Sequence, residues 1–281
     1  MHVLYFHQHF STPKGATGIR SYQMAQKLLS KGHRVTMVCG SYGGGQTGLH
    51  SDFQSGRREG NVDGIGIIEF DLAYSNADGF VKRALTFLTF ALKSIGIAMR
   101  YDYDMVFATS SRLFTAFLGA RISKSKRVPL YLDIRDIFVD TIKDVLPSKI
   151  TWLAKPVLSA IERYTFSQAS CINLVSEGFK DYFVQRYPDV DYRWFTNGID
   201  KEFLSASTNL ENNASSEDKV TVLYAGNIGE GQGLHVILPY LQPTNTIPGA
   251  AAWSSLQLGT FAQRSEPSLS ILWPRVAMPL A

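Results

Sequence analysis

Residues 3–39 constrain this chain more than any other stretch. Val3–His7 (VLYFH) is a short apolar run, and a polar loop with glycine and proline follows, His9–Gly18 (HFSTPKGATG). Ile19–Lys31 is predicted as a helix that Gly32-His33 ends, and Val35–Cys39 (VTMVC) is a second apolar run. Ile19, Tyr22, Gln23, Met24, Leu28 and Leu29 fall near helical period, with Arg20, Gln26, Lys27 and Lys31 elsewhere. Thr17 is expected to cap the helix start, and Gly32 suits the position just past its end. A strand, glycine loop, helix and strand in this order open a doubly wound α/β domain. The loop aims glycine backbone and a helix N-terminus at one point, which suits an anion such as a phosphate.

Two familiar phosphate binders fit poorly. A dinucleotide fold wants G-x-G-x-x-G and an acid closing the second strand. Here the glycines are Gly15 and Gly18, and the strand ends Cys39-Gly40-Ser41. The Gly-Lys-Ser/Thr triplet of a P-loop occurs nowhere. A plain turn that Gly15 and Gly18 merely permit stays open at this point.

With 281 residues the chain can hold one large domain or two modest ones. Its apolar fraction of 45% and charged fraction of 19% are those of an ordinary globular protein. A net charge of +4 suits a phosphate-bearing ligand or an anionic membrane surface; without a Lys/Arg block it argues against nucleic acid. Cys39 and Cys171 lie in or beside apolar runs and read as buried free thiols of a reducing compartment. No Cys/His cluster has metal-ligand spacing. The chain starts directly in a strand rather than a signal peptide, so a cytoplasmic location is expected.

Beyond the opening unit, Ser41–Asp63 is polar and Gly-rich and reads as a long loop. Strands are predicted at Gly64–Phe70, Asp104–Thr109, Pro129–Asp133, Ser170–Val175 and Asp191–Phe195. Helices are predicted at Phe80–Arg100, Arg112–Ile122, Lys149–Ala169 (interrupted by Pro156) and from Ser176-Glu177 to Arg186. The alternation implies a mostly parallel sheet covered on both faces. Phe80–Arg100 reads as a buried crossover helix, with an interfacial helix on an anionic bilayer as the alternative. Residues 1–203 form a first domain, and Leu204–Asp218 is a polar linker. Lys219–Gln242 restarts with a strand, a glycine turn and the helix Leu234–Leu241, the opening of a second α/β domain. Pro243–Ala281 shows no periodicity and only Arg264, Glu266 and Arg275 as charges. It is expected to be a disordered, unrelated extension, such as a shifted reading frame produces.

Ligands of open parallel sheets bind at the carboxyl ends of the strands. Four clusters fall there: the Gly15–Arg20 loop; Asp133-Ile134-Arg135-Asp136; Asn197-Gly198-Ile199-Asp200; and the turn Gly226–Gly233. Two carboxylates and a guanidinium at a strand end can bind sugar hydroxyls or form a salt-bridged corner. Two glycine loops on two domains suggest a diphosphate held between them.

These residues resemble a family. LYFHQHFSTPKGATGIRSYQMAQKLLSKGHRVTMVCGS, LDIRD, IERYTFSQASCINLVSEGF, TNGID and YAGNIGEGQGL, in that order over about residues 1–241, are similar to the retaining GT-B-fold glycosyltransferases of family 4. Within that family the sequence most resembles bacterial surface-polysaccharide transferases described as acting on fucosamine-type or related amino sugars. The resemblance implies an enzyme that moves a sugar from a nucleotide-diphosphate donor to a lipid-linked or saccharide acceptor at the inner membrane face. It implies no metal and no further cofactor. Gly15, Gly18 and Arg20 would lie at the donor diphosphate with Gly226, Asn227 and Gly233; Asp133, Arg135 and Asp136 would line the reaction centre near the acceptor. Asn197, Gly198 and Asp200 would form the interdomain junction.

Two departures stand against activity. Gln232 occupies a place where many relatives carry Lys. The family's later Arg/Lys pair and glutamate-rich sugar-binding motif have no match in Pro243–Ala281. The chain is therefore expected to lack most of the donor domain and to be inactive alone. A non-catalytic acceptor- or membrane-binding module is the alternative.

Overall fold

Strand β1 (His2–Phe6) sets the architecture, because all five of its residues are buried. In the computed structural model, whose described residues are 1–15, 18–42, 46–72, 80–110, 113–137 and 148–198, it sits inside an eight-stranded sheet. The chain divides into two compact units, Met1–Leu204 and Ser205–Ala281, and the described residues all belong to the first.

The elements follow as α1 (Arg20–Ser30), β2 (Arg34–Gly40), β3 (Arg57–Val62), β4 (Ile65–Phe70) and α2 (Phe80–Ala98). Next come β5 (Met105–Ser110), α3 (Leu113–Lys126), β6 (Leu130–Ile134) and α4 (Ser148–Ser167). The last are β7 (Cys171–Leu174), a 3-10 turn Glu177–Phe179, α5 (Lys180–Arg186) and β8 (Asp191–Arg193). The sheet order is β3-β4-β2-β1-β5-β6-β7-β8, with every pair parallel except β3 with β4. From β1 the order runs outward to β2 on one side and to β5 on the other. The crevice beyond the carboxyl ends of β1 and β5 is thus the topological switch point, where such sheets take ligands.

Both sheet faces are covered, as apolar strands require. One core joins Leu4, Phe6, Val106 and Leu132 to Phe90 of α2, Leu118 of α3 and Phe166 of α4. The other packs Ala25 of α1 on Val3, Tyr5 and Met37. On that face Tyr5, Phe107 and Tyr131 stack in turn, with centroids 4.0 and 4.7 Å apart.

The structure corrects four local expectations. The stretch 41–63 is not all loop, because it contains β3. This strand (RREGNV) hides little surface and so carries no apolar alternation. Val62 pairs with Ile65 around Asp63 (φ 51°) and Gly64 (φ 84°), a two-residue turn with both centres left-handed. Glu69 of β4, almost fully buried, pins the hairpin by accepting hydrogen bonds from Arg58 Nε (2.9 Å) and Thr47 Oγ1 (2.5 Å). Second, α1 starts at Arg20 rather than Ile19, which holds the N-cap position; Thr17, the expected cap, lies outside the described residues. Third, α4 runs through Pro156 without interruption. Leu158 and Phe166, buried beyond it, hold the helix against the lost backbone bond. Fourth, the seventh predicted strand ends at Arg193, because the next residues turn toward α1 (below).

Helix α2 is a crossover helix, with Phe90, Ser94, Ile97 and Ala98 buried. Burying Phe90 and Ile97 stabilises the fold by roughly 1.5–3 kcal/mol each. Its opposite face is apolar and exposed. Among the described residues no helix is long and apolar enough to cross a membrane. Cys39 is buried, Cys171 is half-buried, and both are free thiols; burial pushes both thiols above their ordinary pKa.

Candidate functional site

The loop after β1 is held from below by its neighbours. Thr12 N and Thr12 Oγ1 both donate to Gln46 O (2.9 and 2.8 Å), and Gly15 N donates to Thr12 O (3.0 Å). A β-carbon at position 15 would overlap the Ser11 hydroxyl and come within 2.9 Å of Gln46 N. Gly15 is therefore demanded by close approach. At Gly18 a β-carbon would meet only the Arg135 guanidinium, 3.9 Å away. Gly18 thus places bare backbone beside Arg135, at the start of α1.

Arg20 opens α1 and is fully engaged. Its Nε and Nη2 donate to the two oxygens of Asp133 at 2.9 Å each. It also donates to Phe195 O (2.6 Å), Thr196 O (2.9 Å) and Asn197 Oδ1 (3.3 Å). Asp133, at the end of β6, is wholly buried and takes a further bond from Asn173 Nδ2 of β7 (2.7 Å). Asn173 also donates to Phe195 O (3.2 Å) and accepts from Phe195 N (2.6 Å). Burial opposes the Arg20 charge, but hydrogen bonding and attraction from Asp133 outweigh it and raise the guanidinium above its ordinary pKa. Four chain segments are knotted here: α1, β6, β7 and residues 195–197. Neither Arg20 nor Asp133 has a spare group to offer a ligand. Both act by fixing where Gly18 and Asn197 lie.

Arg135 differs. It is half-buried and has no hydrogen bond or ion pair among the described residues. Beside it, Asp136 reaches the surface; desolvation raises its carboxyl pKa, and Arg135 only partly offsets this. Directly after β1 stand His7 and Gln8, each 3% exposed. His7 Nδ1 and both polar atoms of the Gln8 amide lack a hydrogen-bond partner among the described residues. Burial, then the charge of Arg135, then His9 push the His7 pKa down to about 3, so the ring is neutral at ordinary pH. Buried polar atoms left unpaired cost about 1–3 kcal/mol each, so a ligand that pairs them gains that back.

The site at the switch point therefore combines the Arg135 guanidinium, unpaired among the described residues, the N-terminus of α1 behind an Ile19 that offers no side-chain cap, the Gly18 backbone and two neutral polar side chains. That set suits an anion flanked by hydroxyl groups. Of the predicted residues, the structure brings Gly15, Gly18, Arg20, Asp133, Arg135, Asp136 and Asn197 into this region. Gly198 follows Asn197 in open surface. Asp200, Gly226, Asn227 and Gly233 lie outside the described residues. Sequence reasoning missed Asn173, His7 and Gln8. For Asn173 the signal is an amide in the middle of the apolar run SCINLV.

Residues 15–198 match the profile of the glycosyl transferase 4-like domain. Comparison with curated protein sequences gives no match. Among solved structures, sucrose-phosphate synthase from Thermosynechococcus elongatus superposes with a TM-score of 0.55 at 13% identity, over 86% of this chain and 59% of that one. Alr3699/HepE of Anabaena, in complex with UDP and glucose, gives 0.49 at 16% identity, over 90% of this chain and 60% of that one. The chain thus spans about 59–60% of the length of these structures. The first likeness shows the fold: the mostly parallel α/β sheet is the Rossmann-like domain of a GT-B protein.

Proposed function

The chain belongs to the glycosyl transferase 4-like domain family, and on that premise we propose that it serves sugar transfer from a nucleotide-diphosphate donor to a lipid-linked or saccharide acceptor. The observation that carries this is Arg135, a guanidinium with no hydrogen bond or ion pair among the described residues, beside Gly18 and the N-terminus of α1. A diphosphate leaving group develops charge as the glycosidic bond breaks, and fixed donors aimed there stabilise it without a metal. Gly18 backbone and Arg135 are the donors of the described unit. Arg20, held by Asp133, keeps the loop and Asn197 in place. His7 and Gln8 supply neutral partners for hydroxyl groups, and the raised pKa of Asp136 suits a carboxyl that hydrogen-bonds an acceptor hydroxyl. Family enzymes are usually assigned same-face attack with the donor phosphate taking the proton, so no buried base is required of this chain.

The 281-residue chain is expected to bind the donor without turning it over alone. Many relatives carry Lys where the resemblance places Gln232, and the family's Arg/Lys pair has no match in the sequence Pro243–Ala281. Bacterial O-antigen, capsule or exopolysaccharide synthesis is the setting the subgroup resemblance suggests, with work at the cytoplasmic face of the inner membrane. Radiolabelled nucleotide sugars incubated with the full chain and a bacterial lipid extract test the reading. Donor should be retained by the chain with no label passing into lipid or saccharide, and Arg135→Gln should weaken that retention. No binding of nucleotide sugars or nucleoside diphosphates would overturn it, and transfer by the chain alone would overturn the expected inactivity.

A second reading, an acceptor- or membrane-binding module without catalysis, is favoured by one feature: the exposed apolar face of α2.

A further inference from the structure

A cavity of about 760 Å³ lies between the β3 hairpin and the C-terminal half of α2. None of Arg20, Asp133 or Arg135 lines it. Its cations are Arg57, Arg58, Lys93 and Arg100, against Asp52 and Glu59. Two of these cations are committed: Arg58 to Glu69 (2.9 Å) and Arg57 to Glu59 (3.0 Å). Lys93 Nζ donates once, to Gly56 O (3.2 Å), which leaves two of its three protons. The Arg100 guanidinium has no hydrogen bond or ion pair among the described residues.

The same helix turns an apolar stripe to solvent. Leu85, Leu88, Leu92, Ile95 and Met99 are each 40–62% exposed. Their alternating spacing of three and four keeps them on one face. Gly96 is four residues from Leu92 and three from Met99, so it shares their ridge while also lining the cavity. A β-carbon there would meet nothing within 4 Å. At that point no side chain walls the cavity off from the stripe. Segment 80–100 carries four cations (Lys82, Arg83, Lys93, Arg100) and no acid. Pairing this helix with its own copy would set like charges together, whereas an anionic surface complements it.

We propose that α2 and the β3 hairpin form a site for an anionic phospholipid at a membrane surface. The headgroup phosphate enters the cavity at Lys93 and Arg100, and Leu85, Leu88, Leu92, Ile95 and Met99 rest at the acyl boundary. This deepens the membrane-contact reading above by naming the lipid class and the residues. It places a second ligand site on the chain, apart from the switch point.

Vesicle co-sedimentation of the full chain tests this without any nucleotide sugar, so its failure leaves the sugar-transfer reading standing. The chain should sediment with phosphatidylglycerol-containing vesicles and stay in solution with pure phosphatidylcholine. Arg100→Gln and Lys93→Gln should each weaken the partition about fivefold, the equivalent of one charge near an anionic surface. Leu88→Asp, at a position already open to water, should weaken it by about tenfold or more with an unchanged circular-dichroism spectrum. Raised salt should release wild type. Equal uptake by neutral vesicles, or wild-type binding by these variants, overturns the proposal. So does binding of glycerol phosphate alone as tight as that of vesicles, which would make the ligand a free phosphate. A change of sedimenting mass in Leu88→Asp with vesicle binding intact would assign the stripe to a second copy instead.

Discussion

Replacing Asp133 by Asn separates a positioning role from a chemical one. The carboxylate is wholly buried and accepts two bonds from Arg20 and one from Asn173. The amide has the same shape but presents donors to one of those donors and leaves the guanidinium without its counter-charge. Breaking a buried pair by removing one partner costs about 3–5 kcal/mol. Arg20 keeps a little exposure, 11% of its side chain, and its bonds to the carbonyls of Phe195 and Thr196. These soften the loss, so Asp133→Asn should destabilise by about 2–4 kcal/mol. For a unit of this size that lowers Tm by roughly 4–16 °C, at about 2–4 °C per kcal/mol. Urea unfolding followed by tryptophan fluorescence reads it, since Trp194 adjoins the knotted segment. The apolar double replacement Arg20→Met with Asp133→Leu should regain much of the loss, because it leaves no buried charge unpaired. An Asp133→Asn variant within about 0.5 kcal/mol of wild type, or additive effects in the double variant, would refute the reasoning. Lost nucleoside-diphosphate binding at unchanged stability would make Asp133 a ligand-contacting group after all.

Three further outcomes follow from the same contacts. Gly15→Ala should destabilise by about 1–3 kcal/mol through its clash with Ser11 and Gln46 N, whereas Gly18→Ala should stay within about 1 kcal/mol in the same urea melts. His7 remains neutral when folded down to about pH 3 but takes a proton near pH 6.5 when unfolded. Stability should therefore fall as pH drops below 6.5, by at most about 1.4 kcal/mol per unit from this group, and His7→Gln should flatten that slope in melts at pH 7 and 5.5. Gly64→Ala, at φ +84°, should cost about 1 kcal/mol or more and increase amide exchange in β3; unchanged exchange there would contradict the turn assignment.

Much of the sheet was legible because parallel strands buried on both faces leave unbroken apolar runs, as in VLYF and VTMVC. β3 was not, because RREGNV lies at the sheet edge with its side chains largely in water. Its one local sign, Asp63-Gly64 ahead of an apolar run, fell inside a stretch read as loop. The site was legible by position, since strand ends in an α/β sheet are where chemistry gathers. Its division of labour was not. Arg20 and Asp133 are 113 residues apart, and only the sheet order brings them into a bidentate pair. Charge in LDIRD does not reveal that one acid is buried and paired while Arg135 has no ion pair among the described residues. His7 and Gln8 look like ordinary polar residues after a strand until their burial without partners among the described residues is seen.

Calorimetric titration of the full chain with UDP and with GDP tests most directly whether Arg135 and the α1 N-terminus hold a diphosphate. Wild type should bind at least one of them. Arg135→Gln should weaken that binding by about tenfold to a hundredfold, as loss of one charge-assisted contact implies. Binding that Arg135→Gln leaves unchanged, or no binding of either nucleotide, would contradict the account.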